Sequence, residues 1–147
     1  MERLPGRPED RVEAVLAMRF ASDVSLVDGA VELLVSQCLE GRCPSRRTVF
    51  RMRVAIAEAL TNAIECGNGC DPAKVVAVMA DLLPDRVRVA VSDEGPGFDP
   101  RHVPDPTIDP HALESPRGRG LFLIRSLADH VEFNDRGNTI WMILPRW

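Results

Sequence analysis

Between Asp93 and Arg117 the chain carries six prolines, Pro96, Pro100, Pro104, Pro106, Pro110 and Pro116, and no sustained apolar period. Proline lacks a backbone N–H and clashes with the preceding helical turn, so this stretch of 25 residues forms neither a helix interior nor a central strand. Loops of that length inside a compact domain are commonly lids or binding loops. The remainder must therefore supply a core on both sides of a long insertion. With 147 residues there is room for one such core and no second one.

The flanking segments do carry periodicity. Residues 1–11 read as a flexible leader, and residues 12–147 as a single domain with a lid at about 98–117. From Val12 to Phe20 apolar residues alternate, which suits a strand with one buried face. Ser22 or Asp23 can cap a helix whose apolar positions run from Val24 to Cys38, with Gly41 and Pro44 ending it. A second helix is expected from Ser45 to about Cys66, stopped by Gly67, Asn68 and Gly69. Lys74–Leu83 and Arg86–Ser92 read as strands of a hairpin turning at Pro84-Asp85. A third helix is expected from Gly118, and two closing strands near Val131–Asn134 and Thr139–Leu144. The fold class is α+β: a two-layer sandwich whose mostly antiparallel sheet is covered on one face by helices.

Charge narrows the function classes. A formal net charge of −4 lacks the electrostatic footprint of a nucleic-acid binder. Arg42, Arg46, Arg47, Arg51 and Arg53 cluster locally and read as a solvated helix face. No uncharged apolar run reaches the length of a membrane span, and the charged N-terminus does not resemble a signal peptide. A cytoplasmic protein with no membrane contact is expected. Cys38, Cys43, Cys66 and Cys70 have spacings that could pass for a zinc site, against the alternative of free thiols in a reducing compartment.

Three short motifs carry chemistry. Glu58 and Asn62 lie four apart and share a helix face, where an acid and an amide could hold a hydrated Mg²⁺ and a hydroxyl. Taken alone they equally describe a hydrogen-bonded surface pair. Asp93-Glu94-Gly95-Pro96-Gly97 follows a strand: its glycines permit close backbone approach, and its aspartate can accept from an exocyclic amine. A tight turn with a surface acid is the plainer reading. Gly118-Arg119-Gly120-Leu121 opens a helix, whose N-terminus favours phosphate, and Arg117 and Arg119 add charge there.

In order and spacing, these motifs resemble the Bergerat-fold ATPase and kinase superfamily, and within it the bacterial anti-sigma factor serine-protein kinases. The helix motif E-x-x-x-N-A is matched by Glu58 through Ala63, D-x-G-x-G by Asp93, Gly95 and Gly97, and G-x-G-L by Gly118, Gly120 and Leu121. The resemblance spans about Val12 to Leu144. It implies that the cofactors are ATP and Mg²⁺, with Asn62 coordinating Mg²⁺ and Asp93 binding the adenine amino group. Gly95 and Gly97 would shape the adenine pocket, and the backbone of Gly118 to Leu121, with Arg119, would cradle phosphate. Glu58 would be the general base toward an incoming hydroxyl. The partners implied are a small STAS-type anti-sigma antagonist and a sigma factor, with the protein a homodimer.

Two positions depart from the family pattern. Cys66 stands where the family often has histidine, and Gly137 is followed by Asn138 before Thr139, where the family has Gly-Thr. Either Asn138 or Thr139 could supply the adenine-side hydrogen bond. A serine/threonine kinase acting on a protein antagonist is the main expectation. A nucleotide-gated binding module without kinase activity is the alternative. The catalytic half of a histidine kinase fits less well, because His102, His111 and His130 all follow the second motif.

Overall fold

The computed structural model describes residues 11–99 and 116–147. The expected leader and most of the expected lid, with His102 and His111, lie outside them. Among the described residues five strands form one sheet: β1 (Ala14–Ala21), β2 (Val75–Leu82), β3 (Arg86–Ser92), β4 (His130–Phe133) and β5 (Thr139–Pro145). Their order is β1-β2-β3-β5-β4, and every neighbouring pair is antiparallel. The last strand in the chain thus inserts beside β3 and pushes β4 to the edge.

Alternation sets the faces. Val76, Val78 and Ala80 of β2, Val87, Val89 and Val91 of β3, and Met142 and Leu144 of β5 are buried on the side where the helices pack. Among the described residues three α-helices cover that side: α1 (Val27–Cys38), α2 (Arg46–Asn62) and α3 (Pro116–Leu127). Met52, Ile56, Leu60 and Ile124 contribute no measurable exposed surface, so α2 is the central helix of the layer.

Local chemistry explains where each helix begins. Asp23 does cap, but it caps a 3₁₀ turn at Val24–Leu26 by accepting from the Ser25 N–H at 2.9 Å; α1 starts only at Val27. Ser45 caps α2, accepting from the Thr48 N–H at 3.1 Å. The α-helical ladder of α2 stops at Asn62 and continues as a π-helical turn, Ala63–Gly67, instead of running on to Cys66 as α-helix. Gly69 and Cys70 then take φ values of 59° and 57°, which turns the chain toward β2. The third helix starts at Pro116, two residues ahead of Gly118, because proline is well suited to a first helical position.

α2 and α3 run antiparallel. Arg51, near the start of α2, donates from Nε to the Leu127 carbonyl at 2.7 Å and from Nη2 to Asp129 at 3.0 Å, closing the last turn of α3. Of the arginine cluster, Arg46 and Arg47 are exposed, while Arg53 pairs with Glu32 and Arg42 with Glu13. The buried Arg146 donates to the carbonyls of Cys38 and Leu83 and to Glu13, tying the end of α1 to the β2–β3 hairpin.

The four cysteines are free thiols, and among the described residues no group of three or more His, Cys, Asp or Glu side chains could hold a metal ion. Burial pushes the Cys38 thiol up to about 11. Among the described residues no helix is long and apolar enough to cross a membrane.

Candidate functional site

An open cleft lies between the sheet and the α2–α3 pair. Asn62 comes to it from the end of α2, Asp93 from the end of β3, Leu121 from α3 and Thr139 from the start of β5. Residues separated by as many as 77 positions in sequence thus share one wall, which the antiparallel order β3-β5 makes possible.

The acid–amide pair is where helical spacing places it, one turn apart on α2, and the structure adds what faces it. Gly120 of α3 sits directly over both side chains. A Cβ built there would lie 2.8 Å from Asn62 Nδ2, 3.1 Å from Glu58 Oε2 and 3.2 Å from Asn62 Oδ1. The glycine therefore leaves both side chains their room by contact and not by backbone conformation, since its φ is not in the left-handed region. Asn62 Nδ2 is buried without a hydrogen-bond partner among the described residues, and Asn62 Oδ1 has only the Cys66 thiol, a weak donor at 3.9 Å. A buried amide with unused capacity is an unfavourable arrangement unless a ligand completes it. An amide oxygen beside a carboxylate is also the hard-oxygen donor set that suits Mg²⁺. The residues present fit such an ion.

The end of the cleft around Asp93 is built mostly from main chain. Asp93 Oδ1 accepts from the Gly95 N–H at 2.8 Å, and the Asp93 N–H donates to the Asn138 carbonyl at 2.9 Å, so the aspartate is braced from both flanks. A side chain on Gly67 would strike the Asp93 carboxylate, and one on Gly95 would strike the Gly67 carbonyl. Gly97, at φ 77°, lies against the Arg136 carbonyl, while Gly137, at φ 72°, lies against the Phe98 carbonyl. The D-x-G-x-G loop and the β4–β5 turn thus pack backbone to backbone.

Asn138 and Thr139 have different environments. Asn138 Oδ1 accepts from Asn134 Nδ2 at 2.7 Å, which engages it in its own turn. The buried Thr139 hydroxyl lies 2.7 Å from the Ser92 hydroxyl, its register partner on β3, at the end of the same strand that leads into Asp93. At the start of α3 Gly118 is buried and Arg119 exposed, and the Arg117 side chain lies outside the described residues. With α3 beginning at Pro116, the Gly118–Leu121 segment spans the end of its first turn and the start of its second.

Several site residues carry no motif signal. Phe98 and Phe133 form an edge-to-face pair, centroids 5.3 Å apart at 77°, on the cleft wall. Only the inward alternation of β4 pointed to Phe133. Ala59, one turn before Ala63, keeps the cleft floor low, and it reads in sequence as ordinary helix core.

Residues 20–144 match the family model described as histidine kinase-like ATPase domain. The serine-protein kinase RsbW of Bacillus licheniformis is 32% identical over 121 residues, covering 78% of this chain and 75% of that protein. The anti-sigma F factor of Clostridium perfringens is 29% identical over 121 residues, covering 78% of this chain and 85% of that protein. A further serine-protein kinase RsbW, from Bacillus cereus, is 31% identical over 98 residues, covering 62% of this chain and 60% of that protein. The chain belongs to the histidine kinase-like ATPase domain family, in the branch of the anti-sigma serine-protein kinases.

Proposed function

We propose that this protein binds ATP with Mg²⁺ in the α2–α3 cleft and transfers the γ-phosphoryl group to a serine or threonine hydroxyl of a small STAS-type antagonist protein. It acts in this reading as an anti-sigma factor, a cytoplasmic homodimer that also binds a sigma factor. The names of its relatives support the partner class. The observation that carries the catalytic reading is the seating of Gly120 over Glu58 and Asn62, which brings the helix start of α3 onto the acid–amide pair.

Each residue has a distinct task. Asp93, held by Gly95 and Asn138, accepts from the 6-amino group of adenine, and the Thr139 hydroxyl supports that edge of the base. Asn62 would hold Mg²⁺ through its amide oxygen; when bound, the ion neutralises phosphate charge. The first turn of α3, with Arg119, faces the phosphates. Glu58 takes the proton from the incoming hydroxyl as the Oγ–P bond forms and the bond to ADP breaks.

The test is a transfer assay with purified protein, ATP, Mg²⁺ and a candidate antagonist, beside calorimetric titrations of ATP and ADP. Glu58→Gln is expected to lower the transfer rate by about 10²–10⁴ with nucleotide affinity retained, the usual size of a general-base contribution. Transfer by the variant at the parent rate removes Glu58 from the chemistry. Tight ATP binding without transfer to any antagonist favours the nucleotide-gated module.

A further inference from the structure

Asn68 follows the π-helical turn and was read in sequence only as part of a helix stop. It is 2% exposed, yet each of its polar groups is matched. Its side-chain Nδ2 donates to Ser22 Oγ at 2.7 Å and to the Val75 carbonyl at 3.1 Å. Its Oδ1 accepts from the Glu94 N–H at 2.7 Å. The main-chain N–H bonds the Ala63 carbonyl and the carbonyl receives the Asp71 N–H. The amide orientation is unambiguous, because Glu94 offers only a donor and Val75 only an acceptor.

One buried residue thus joins four elements: its side chain bonds the β1–α1 junction, the start of β2 and the loop that holds Asp93, and its main-chain N–H bonds the end of α2. Ser22 extends the chain of bonds, donating from Oγ to the Lys74 carbonyl at 2.8 Å while it accepts from Asn68. Asp93 is anchored on one flank by Asn138; Asn68 anchors the residue on its other flank.

We infer that Asn68 is a positioning residue for base recognition: through the Glu94 N–H it fixes the orientation in which Asp93 meets the 6-amino group of the nucleotide. The inference rests on the adenine reading of the cleft. Removing the amide leaves the Glu94 N–H and the Val75 carbonyl unmatched and frees the loop beside Asp93. Contacts at the phosphate end, on α2 and α3, are untouched. The loss is therefore confined to interactions that need the exocyclic amine.

The experiment measures binding of ATP and of inosine triphosphate, which has a 6-oxo group in place of the amine, to the full chain and to Asn68→Ala. The parent is expected to prefer ATP. Asn68→Ala is expected to weaken ATP about tenfold while leaving inosine triphosphate within about twofold, so that the preference collapses. In the transfer assay KM for ATP rises and kcat holds. Equal weakening of both nucleotides, or an unchanged preference, overturns the inference. Should Asn68→Ala not fold, Ser22→Ala carries the same test, because the Lys74 carbonyl keeps the Ser22 N–H. Its expected loss of preference is about threefold, and no change in preference counts against the inference equally. A parent that binds neither nucleotide refutes the adenine reading itself, and the inference with it.

Discussion

Replacing Gly120 by alanine separates stability from function in a way most substitutions near a binding site do not. In the interior of an exposed helix, alanine for glycine stabilises by about 0.8–1.0 kcal/mol. Here the new methyl would lie 2.8 Å from Asn62 Nδ2 and 3.1 Å from Glu58 Oε2, closer than carbon packs against either. Both contacts are the far ends of flexible side chains, so the cleft yields through off-rotamer shifts that cost about 0.5–1.5 kcal/mol each. The two terms cancel only in part: the net loss is about 0–2 kcal/mol, and the unliganded melting temperature is expected to fall by no more than about 8 °C. Function does not cancel. The amide proposed to hold Mg²⁺ and the carboxylate proposed as base are both pushed aside, and a displacement near 1 Å in a reacting constellation lowers rates about 10²-fold. If nucleotide affinity falls tenfold, ligand at about 100 times the parent Kd stabilises the variant by about 1.4 kcal/mol where the parent gains about 2.7. Thermal unfolding with and without Mg-ATP, followed by the transfer assay, reads all three quantities. A variant with the parent's ligand-induced shift and transfer within twofold would refute the placement of Gly120 over a working Glu58–Asn62 pair.

Three other substitutions probe the frame. Gly95→Ala drives a methyl into the Gly67 carbonyl, where both partners are main chain, and is expected to destabilise by about 1–3 kcal/mol in urea unfolding; an unchanged midpoint would contradict that contact. Arg146→Met leaves the Cys38 and Leu83 carbonyls without their guanidinium donor, and should lower stability by about 3 kcal/mol, or roughly 10 °C in a melt. A drop under about 1 kcal/mol would mean water replaces the guanidinium at both sites. The Cys38 thiol, pushed up to about 11, favours the protonated form in the folded state, so its contribution is complete below the unfolded value near 9 and is lost as pH rises toward 11. Stability measured across that window should fall more steeply for the parent than for Cys38→Val, and parallel curves would rule the linkage out.

Much of this architecture is written in local periodicity. Ser45 announces α2 because a side-chain oxygen before an amphipathic run has one obvious use, and Pro84-Asp85 between two alternating runs has only a hairpin to form. Glu58 and Asn62 share a face on helical geometry alone. Other features depend on contacts that no window of sequence contains. The π-helical turn after Asn62 ends at Gly67, which packs against the Asp93 carboxylate 26 residues away. β5 inserts between β3 and β4, pairing Thr139 with Ser92 across 47 positions and burying Met142 and Leu144. Asn68 reads as a helix breaker because its three partners lie 7, 26 and 46 positions away. Pro116 was counted with the loop, although proline is also a favoured first residue of a helix.

The glycines at 67, 95, 97 and 137 divide the cleft into two kinds of material. The end proposed to bind the base is a mould cast in peptide backbone, whose shape does not depend on rotamers and has almost no side chains to exchange. The end proposed to hold the phosphates is assembled from separate side chains on two helices. An attempt to retune this domain for another nucleobase therefore has few handles, chiefly Asp93, Thr139, Phe98 and Phe133. By contrast, its chemistry at the phosphate can be altered one residue at a time, with the mould left intact.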